Sequence, residues 1–372
     1  MFLEPRRGRG RPALWPWVLS VLIAFGLAWY LYSRQTEIME TVRGPLPTPT
    51  PTEISAAQHM AYGDRLMERG QYSEAIAAYR RATELDPTLS SAYARWAKIL
   101  VLRLNSADAI ELARRAIETD AQSPEAHAIL GIALDWSGNV TEAIASCLRA
   151  TNLAPDYALG YACLAEAYGA QGRPTDAMRA AEKALELAPN DYMARRSLGY
   201  VYELQGRYND AIREYRAALD LNPNHAFLYI DIGRNYRVLR NSEQSTRYFE
   251  LASQADPGES YVYAQLGWNY FALGMYHSAA TEMRRAIEID PEYGRGYGHL
   301  ATSYYFMRNY EDAIPNYLRA IELVGPSEEY YYGLGFSYAF IGQCDEGVPY
   351  FHMALEVNPN SQIAQQGLDY CR

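Results

Sequence analysis

The stretch Tyr192–His225 reads YMARRSLGYVYELQGRYNDAIREYRAALDLNPNH, and its pattern of small residues sets the register of the whole chain. Its Ala211 and Ala218 each belong to a column of small residues that recurs every 34 positions. The first column contains Ala75, Ala109, Ala143, Ala177, Ala211, Ser245, Ala279, Ala313 and Gly347. The second column contains Ala82, Ala116, Ala150, Ala184, Ala218, Ala252, Ala286, Ala320 and Ala354. A fixed period in this range is typical of stacked units that bury their apolar faces only against neighbours, so the columns predict nine repeats.

Two amphipathic helices are predicted within each repeat. Leu198 and Tyr202 fall at helical spacing in the first half of the stretch, and Ala211, Tyr215 and Ala218 do so in the second half. Small residues allow two helices to cross closely, and the tyrosines fill the wider gaps beside them. The repeat is therefore expected to be a helix–turn–helix unit.

Glycine and proline mark the ends of the predicted helices. Gly206 separates the two helices and suits the left-handed residue that ends the first one, while Asn209 or Asp210 is expected to cap the second. Pro223 stops the second helix and directs the chain into the next repeat. The same proline position recurs at Pro87, Pro155, Pro189, Pro257, Pro291 and Pro359.

This pattern of small, aromatic and proline positions resembles the tetratricopeptide repeat family over about residues 56–360. The resemblance implies an all-α fold, a right-handed superhelical solenoid of nine helix–turn–helix repeats. The tail Ser361–Arg372 carries Ala364, Leu368 and Cys371 on one helical face. Because a solenoid end needs a cover, this tail is predicted to be a C-terminal capping helix.

The first 32 residues predict a membrane anchor. Four arginines occur within residues 1–13, and the apolar run over residues 14–32 is long enough for one transmembrane helix. A cleaved signal peptide is the competing interpretation, but bulky aromatics occupy Ala28–Ser33, where a small-residue cleavage site is needed. The arginines before the span predict a cytoplasmic N-terminus.

Residues 33–53 are expected to be a juxtamembrane segment and linker. From Gly44 the chain reads GPLPTPTPTE, an alternation that favours extended polyproline II and excludes a helix. The expected organisation is a basic segment (1–13), a transmembrane helix (14–32), this linker (33–53), nine repeats (54–360) and a capping helix (361–372).

Composition disfavours several functional classes. The chain has 372 residues and a net charge of −10, and its arginines are interspersed with acidic residues, which disfavours nucleic-acid binding. The four cysteines form no CxxC pair or zinc-site spacing and are interpreted as separate small residues. A disulfide between Cys147 and Cys163 is left open.

The sequence shows no catalytic or metal-binding motif. The six histidines have no metal-ligand spacing, and Gly294, Gly296 and Gly298 precede no GK[ST] motif. The chain is therefore predicted not to be an enzyme and to need no cofactor or metal.

Candidate binding residues follow from the resemblance, which implies that the first helix of each repeat lines a concave groove. In repeats five and six this register selects Arg196, Tyr200, Glu203, Arg234 and Arg237, which suggests a basic middle. The later repeats contribute an aromatic end, composed of Tyr261, Trp268, Phe271, Tyr305, Phe306, Tyr332, Phe336 and Phe340. Arginine forks pair with carboxylates, and aromatic rings act as anchors, so the partner is expected to be a protein or peptide. The alternative is that these aromatics pack internally and that Arg234 pairs with Glu203.

The sequence predicts a membrane-anchored scaffold or assembly factor that binds a polypeptide. It would lie at the cell membrane as a single-pass protein, with the N-terminus cytoplasmic and the repeats extracytoplasmic, in a bacterial envelope. Two alternatives stay open, a structural self-associating protein and a regulatory subunit of an envelope enzyme. The sequence names neither the partner nor the oligomeric state, because repeat surfaces carry their specificity in side chains that no motif records.

Overall fold

The computed structural model describes residues 15–34, 54–103 and 105–372. The chain divides into two compact units, one ending at Ile54 and the other running from Ser55 to Arg372. The predicted basic segment 1–13 and most of the predicted linker lie outside the described residues.

The first unit contains helix α1 (Trp15–Ser33). This helix falls on the apolar run for which the sequence predicts a transmembrane span. Within the described ranges, no helix combines the length and the apolar character that crossing a membrane requires. The structure therefore gives the predicted span no support.

The second unit is built entirely of α-helices in its described residues, and these helices form nine consecutive pairs followed by one further helix. The pairs are α2 (Ala56–Glu68) and α3 (Tyr72–Leu85), α4 (Ser90–Leu102) and α5 (Ser106–Thr119), α6 (Pro124–Trp136) and α7 (Val140–Leu153), α8 (Ala158–Ala170) and α9 (Pro174–Leu187), α10 (Tyr192–Leu204) and α11 (Tyr208–Leu221), α12 (Ala226–Val238) and α13 (Ser242–Ala255), α14 (Ser260–Ala272) and α15 (Tyr276–Ile289), α16 (Gly294–Phe306) and α17 (Tyr310–Val324), and α18 (Glu328–Phe340) and α19 (Cys344–Val357). The last helix is α20 (Gln362–Tyr370), within the tail expected to cap the solenoid. The all-α repeat solenoid predicted from the sequence is confirmed.

The two columns of small residues form the spine of the core. Ala211 and Ala218 are fully buried, as are their equivalents in the other repeats. A methyl group built onto Gly199 would lie 2.7 Å from the ring of Tyr215, so only glycine lets helices α10 and α11 approach this closely. The tyrosine fills the space that glycine leaves, as the sequence predicts.

The turn inside each repeat needs a left-handed residue. Gly206 adopts this conformation, with φ of 73°, and ends the first helix of its repeat. Arg240 and Arg308 occupy the equivalent position in repeats six and eight with φ of 56° and 61°. The predicted cap differs, because α11 begins at Tyr208 with Arg207 as its N-cap residue, and Asp210 pairs with Arg207 and Arg213.

All four cysteines are paired, which corrects their interpretation as separate small residues. Cys147 bonds to Cys163 across 5.7 Å between Cα atoms and joins α7 to α8, the pairing that the sequence leaves open. Cys344 bonds to Cys371 across 5.4 Å and fastens the end of α20 to the start of α19. The linear spacing of the cysteines carries no sign of these pairs, because stacking of the helices brings the side chains together.

The solenoid closes on itself within its first six repeats. Arg103, after α4, lies 3.0 Å from the Asp256 carboxylate and 3.3 Å from Glu259, residues that flank the turn between α13 and α14. Tyr72 and His225 share a buried hydrogen bond, and the Asn224 side chain donates to the Glu68 carbonyl at 3.1 Å. We call this set the closure contact; it joins residues about 153 positions apart, or four and a half repeats.

Candidate functional site

A cavity of about 280 Å³ lies inside the closed part of the solenoid. The first helices of repeats three to seven provide most of its wall, and the closure contact contributes Tyr72 and Asp256. Its wall is composed of Tyr72, Leu102, Asp135, Trp136, Glu166, Ala170, Arg196, Tyr200, Ala226, Phe227, Ile230, Asp231, Arg234, Asp256, Glu259, Tyr261 and Val262. Because each helix adds only one or two polar groups, the cavity exists only through the stacking of successive repeats.

A buried ion-pair cluster forms one side of the cavity. The Arg196 guanidinium lies 2.6 Å from Glu166 and 2.8 Å from Asp231, and all three side chains are less than a tenth exposed. Asp231 also accepts from Arg234 at 2.6 Å, and Trp136 donates its indole N–H to Glu166 at 2.9 Å. Burial alone would lower the pKa of Arg196, but Asp231 and Glu166 outweigh burial and raise it, so the arginine stays charged.

Asp135, at the end of α6, is the cavity carboxylate whose burial is least balanced by hydrogen-bond donors and neighbouring positive charge. Its Oδ1 atom is buried and has no hydrogen-bond partner among the described residues. Burial, with a further contribution from the nearby charge of Glu166, raises the pKa of Asp135 to about 7, and Arg196 only partly opposes this. This side chain therefore changes its charge near neutral pH.

The closure contact brings two more carboxylates to the cavity. Burial raises the pKa of Glu259 to about 7 although Arg103 opposes the shift, and burial raises the pKa of Asp256 as well. His225 is buried beside Tyr72, and its desolvation lowers its pKa to about 3, so it stays neutral at physiological pH. The charge of the closure contact is therefore set by Arg103 and its two acidic partners.

A continuous set of ring contacts runs along repeats seven to nine, where first helices end and second helices begin. Trp268 stacks on Phe271 with centroids 5.0 Å apart, Phe271 meets Phe306 at 5.3 Å, and Tyr305 meets Phe340 at 6.1 Å. We call this set the aromatic ribbon, composed of Trp268, Phe271, Tyr276, Tyr305, Phe306, Tyr310, Phe336, Phe340 and Tyr370. Half of the Phe306 surface is exposed. Edge-to-face and offset ring pairs of this kind are stable at such distances and still present apolar surface to solvent.

The thirteen residues selected from the sequence fall into three groups. Four of them line the cavity, namely Arg196, Tyr200, Arg234 and Tyr261. Six of them belong to the aromatic ribbon, namely Trp268, Phe271, Tyr305, Phe306, Phe336 and Phe340. The remaining three are Glu203, Arg237 and Tyr332.

These three residues line neither the cavity nor the ribbon in the described chain. Glu203 accepts hydrogen bonds from the Tyr215 hydroxyl at 2.9 Å and from Asn235 at 2.8 Å. Arg237 lies over the Phe249 ring at 5.6 Å. Tyr332 is partly buried and makes none of the ring contacts of the ribbon in the described chain. Burial raises the pKa of its hydroxyl.

The sequence predicts a basic middle of the groove, but in the structure two of the arginines of this part are not free to give it a positive charge. Arg196 and Arg234 are both neutralised by buried carboxylates, and Arg234 pairs with Asp231 instead of Glu203. The acidic residues that dominate the cavity were missed from the sequence, although part of the signal was present. Asp135 occupies the same register position as Glu203, so the reasoning that selected Glu203 would also have selected Asp135.

Within residues 15–34, 54–103 and 105–372, no group of three or more His, Cys, Asp or Glu side chains is arranged to hold a metal ion. The carboxylates of Glu166 and Asp231 are instead engaged in ion pairs and hydrogen bonds with Arg196, Arg234 and Trp136.

Sequence models of known families match much of the chain. Models described as tetratricopeptide repeat match residues 103–158 and 164–226, residues 260–293 and residues 294–323. A further model described as TPR repeat matches residues 63–101. No curated protein sequence matches the chain significantly.

Solved structures share the fold. The APC/C hetero-tetramer Cut9–Hcn1 superimposes with a TM-score of 0.61 at 16% identity, over 80% of this chain. The match spans 59% of that chain, so this protein corresponds to less than two thirds of it. Pseudomonas aeruginosa PilF superimposes with a TM-score of 0.51 at 20% identity, over 58% of this chain and 98% of its own. At these identities the likenesses concern the fold alone.

Proposed function

This chain is a tetratricopeptide repeat protein, and from that premise we propose that it is a scaffold or assembly factor that binds a polypeptide along its first helices. The observation that carries the proposal is the arrangement of the first helices of repeats three to nine. They build one cavity and then one aromatic ribbon, and α14 contributes Tyr261 to the cavity and Trp268 to the ribbon. Two adjoining surfaces of different chemistry suit a ligand that extends over several repeats.

The ribbon is the proposed source of binding energy. Exposed aromatic rings supply a large apolar area with few rotatable bonds, so they lose little conformational entropy on binding. Phe306 and Phe340 are 50% and 38% exposed, which leaves their faces accessible to a partner. The cavity is the proposed source of specificity, because ion pairs fix Arg196, Glu166, Asp231 and Arg234 before any ligand arrives.

A random-peptide library displayed on phage tests the proposal directly on the full chain. We expect enrichment of peptide sequences on the wild-type protein and its loss on a variant with Phe306→Ala and Phe340→Ala. Tyr62→Ala is the matched control, because Tyr62 is also 50% exposed but lies in the first repeat, away from the ribbon. Equal enrichment on the wild type and the ribbon variant would contradict the proposed binding surface.

The cellular location is a separate proposal: the cell membrane, with the N-terminus cytoplasmic and the repeats extracytoplasmic. The position of the repeats outside the cytoplasm is supported by the pairing of all four cysteines, since disulfides persist in oxidising compartments. Membrane attachment rests on the sequence of residues 1–32 alone. A reporter enzyme that requires an oxidising compartment, fused after Arg372, should be active; activity confined to a cytoplasmic reporter would refute the proposal.

A further inference from the structure

One buried carboxylate oxygen of the cavity has no donor among the residues that the structure describes. Both oxygens of Glu166 are engaged, one by Arg196 and one by the indole N–H of Trp136. Both oxygens of Asp231 are engaged as well, one by Arg196 and one by Arg234. The Oδ1 atom of Asp135 is buried in the same wall without such a partner. A buried acceptor without a donor is costly, and the cost disappears when a ligand supplies the donor.

The balance of charges around the cavity favours a cationic ligand. Five carboxylates line it, and three guanidinium groups pair with four of them. The guanidinium groups belong to Arg103, Arg196 and Arg234. When every acid is ionised, the five lining carboxylates and these three guanidinium groups sum to a net charge of about −2. A cationic ligand would lower the electrostatic free energy of the site, whereas an anionic ligand would raise it.

Aromatic walls favour the same class of ligand. Trp136, Tyr200, Phe227 and Tyr261 face the cavity, and ring faces attract organic cations. Arg196 already shows this geometry, since its guanidinium carbon lies 5.0 Å from the centre of the Trp136 ring and 5.5 Å from that of Phe227. The wall thus accommodates one guanidinium group between rings and carboxylates.

We propose that the cavity binds a lysine or arginine side chain of the polypeptide ligand, with Oδ1 of Asp135 as its acceptor. The volume of about 280 Å³ lies at the lower limit of small-molecule pockets, which suits a side chain better than a larger group. This inference rests on the proposed function, because the cation arrives as part of the bound polypeptide.

The protonation of Asp135 gives the site a recognisable signature. Burial and Glu166 raise its pKa to about 7, and Arg196 opposes them; Tyr200 also lies within its electrostatic reach. The other charged groups around the cavity are Asp231, Arg234, Asp256 and Glu259, and Glu259 ionises over the same pH range because burial raises its pKa to about 7. Binding a cation favours the ionised carboxylate, so the affinity should rise as the pH increases from 6 to 8.

The test uses n-butylguanidinium chloride as a probe of the full chain, followed by ligand-observed NMR titration at constant ionic strength. Sodium n-butyrate and n-butanol are the anionic and neutral controls of similar length. We expect saturable binding of the guanidinium probe alone, weakened about tenfold or more by Asp135→Asn. Glu182→Gln removes the same charge from an exposed position on α9 and should change the affinity by less than about twofold.

Three results of these titrations would contradict the inference. No saturable binding of n-butylguanidinium, equal binding of n-butyrate, or equal affinity of the wild type and Asp135→Asn would overturn it. Circular dichroism checks that Asp135→Asn folds. If the variant does not fold, the affinity of the wild type for n-butylguanidinium is measured from pH 6 to pH 8 instead. An affinity that stays constant over this range would also overturn the inference. Peptide enrichment on the ribbon is measured independently, so failure of the cation site leaves the proposed function standing. Binding of n-butylguanidinium without any enriched peptide would keep a cation site in the cavity but would overturn the polypeptide as the source of the cation.

Discussion

Repeats one to six and repeats seven to nine share the same buried alanine columns but differ in what their first helices carry. In the first region, charged side chains face inward, and the closure contact joins residues about 153 positions apart. In the second region, aromatic rings follow one another from repeat to repeat, and a disulfide fastens the last repeat to α20. Long-range polar contacts are therefore added to the shared apolar core in the first region, and local aromatic contacts are added to it in the second.

The repeat scaffold and the binding chemistry are therefore set by separate positions of the repeat. The columns that contain Ala211 and Ala218 stay small or apolar in both regions because helix crossing leaves them no space. The exposed faces of the first helices are free of this constraint. A buried charge in the polar interior is costly when it loses its partner, whereas the ribbon tolerates partial exposure, so the two regions should respond differently to substitution.

The largest effect on stability is expected from Arg196→Met. This change leaves Glu166 and Asp231 buried without their shared cation, which should lower the free energy of unfolding by about 3–5 kcal/mol. Urea unfolding followed by circular dichroism measures it. Arg179→Met breaks an exposed pair with Asp176 and should cost less than about 1 kcal/mol. Similar losses for the two variants would show that the polar interior does not hold the first region together.

The second effect concerns the last repeat. Replacing Cys344 and Cys371 by serine removes a bond that closes 27 residues, which should cost about 2–4 kcal/mol. The reason is that the link restricts the unfolded chain and fastens α20 to α19. Hydrogen exchange should accelerate in α18, α19 and α20 and stay unchanged around Arg196. Faster exchange throughout the first region would contradict the separation of the two regions.

A third effect is a pH dependence confined to the polar interior. The raised pKa of Asp135 means that the folded protein retains a proton that the unfolded chain loses. Its stabilising contribution is therefore full below about pH 4 and is lost as the pH rises through about 7. Asparagine cannot ionise, so Asp135→Asn avoids this loss of stability. At pH 8 the variant should therefore be more stable than the wild type by on the order of 3 kcal/mol.

The measurement for this prediction is urea unfolding of both proteins at pH 5 and pH 8. The difference between the variant and the wild type should be larger at pH 8 than at pH 5. Glu182→Gln, on the exposed face of α9, should show no such dependence. A variant that is less stable than the wild type at pH 8 would mean that Asp135 already has a cationic partner.

The smallest effect on stability is expected from opening the closure contact. Arg103→Gln removes the guanidinium that binds Asp256 and Glu259, at a cost of about 1–3 kcal/mol. Small-angle X-ray scattering should show a larger radius of gyration, because the first two repeats separate from the fifth and sixth. Arg115→Gln, at an exposed position on α5, is the control and should leave the scattering unchanged. An unchanged profile for Arg103→Gln would show that other contacts close the solenoid.

The fold could be predicted from the sequence because its determinants are local and repeated. Ala211, Gly206 and Pro223 each meet one requirement of the helix–turn–helix unit. Because these positions recur, the pattern is less ambiguous than a single copy would be. The left-handed Arg240 and Arg308 escaped this reasoning, since arginine is not a residue that signals such a turn.

The site could be predicted only in part. Transfer of the first-helix register selected Arg196, Arg234 and the ribbon aromatics, because these residues repeat a face. The neutralisation of Arg196 depends on Glu166 and Asp231 from two other repeats, and the closure contact depends on the curvature accumulated over four repeats. Neither follows from a pattern within one repeat, and for the same reason the disulfide between Cys344 and Cys371 was missed.

The proposed function requires a polypeptide to bind along the first helices and to span both regions. Hydrogen–deuterium exchange of the full chain, with and without the peptide most enriched in the library selection, tests it most directly. We expect slower exchange in α6, α8, α10, α12 and α14 around the cavity and in α16 and α18 along the ribbon. Protection confined to the second helices of the repeats, or the absence of any enriched peptide, would contradict it.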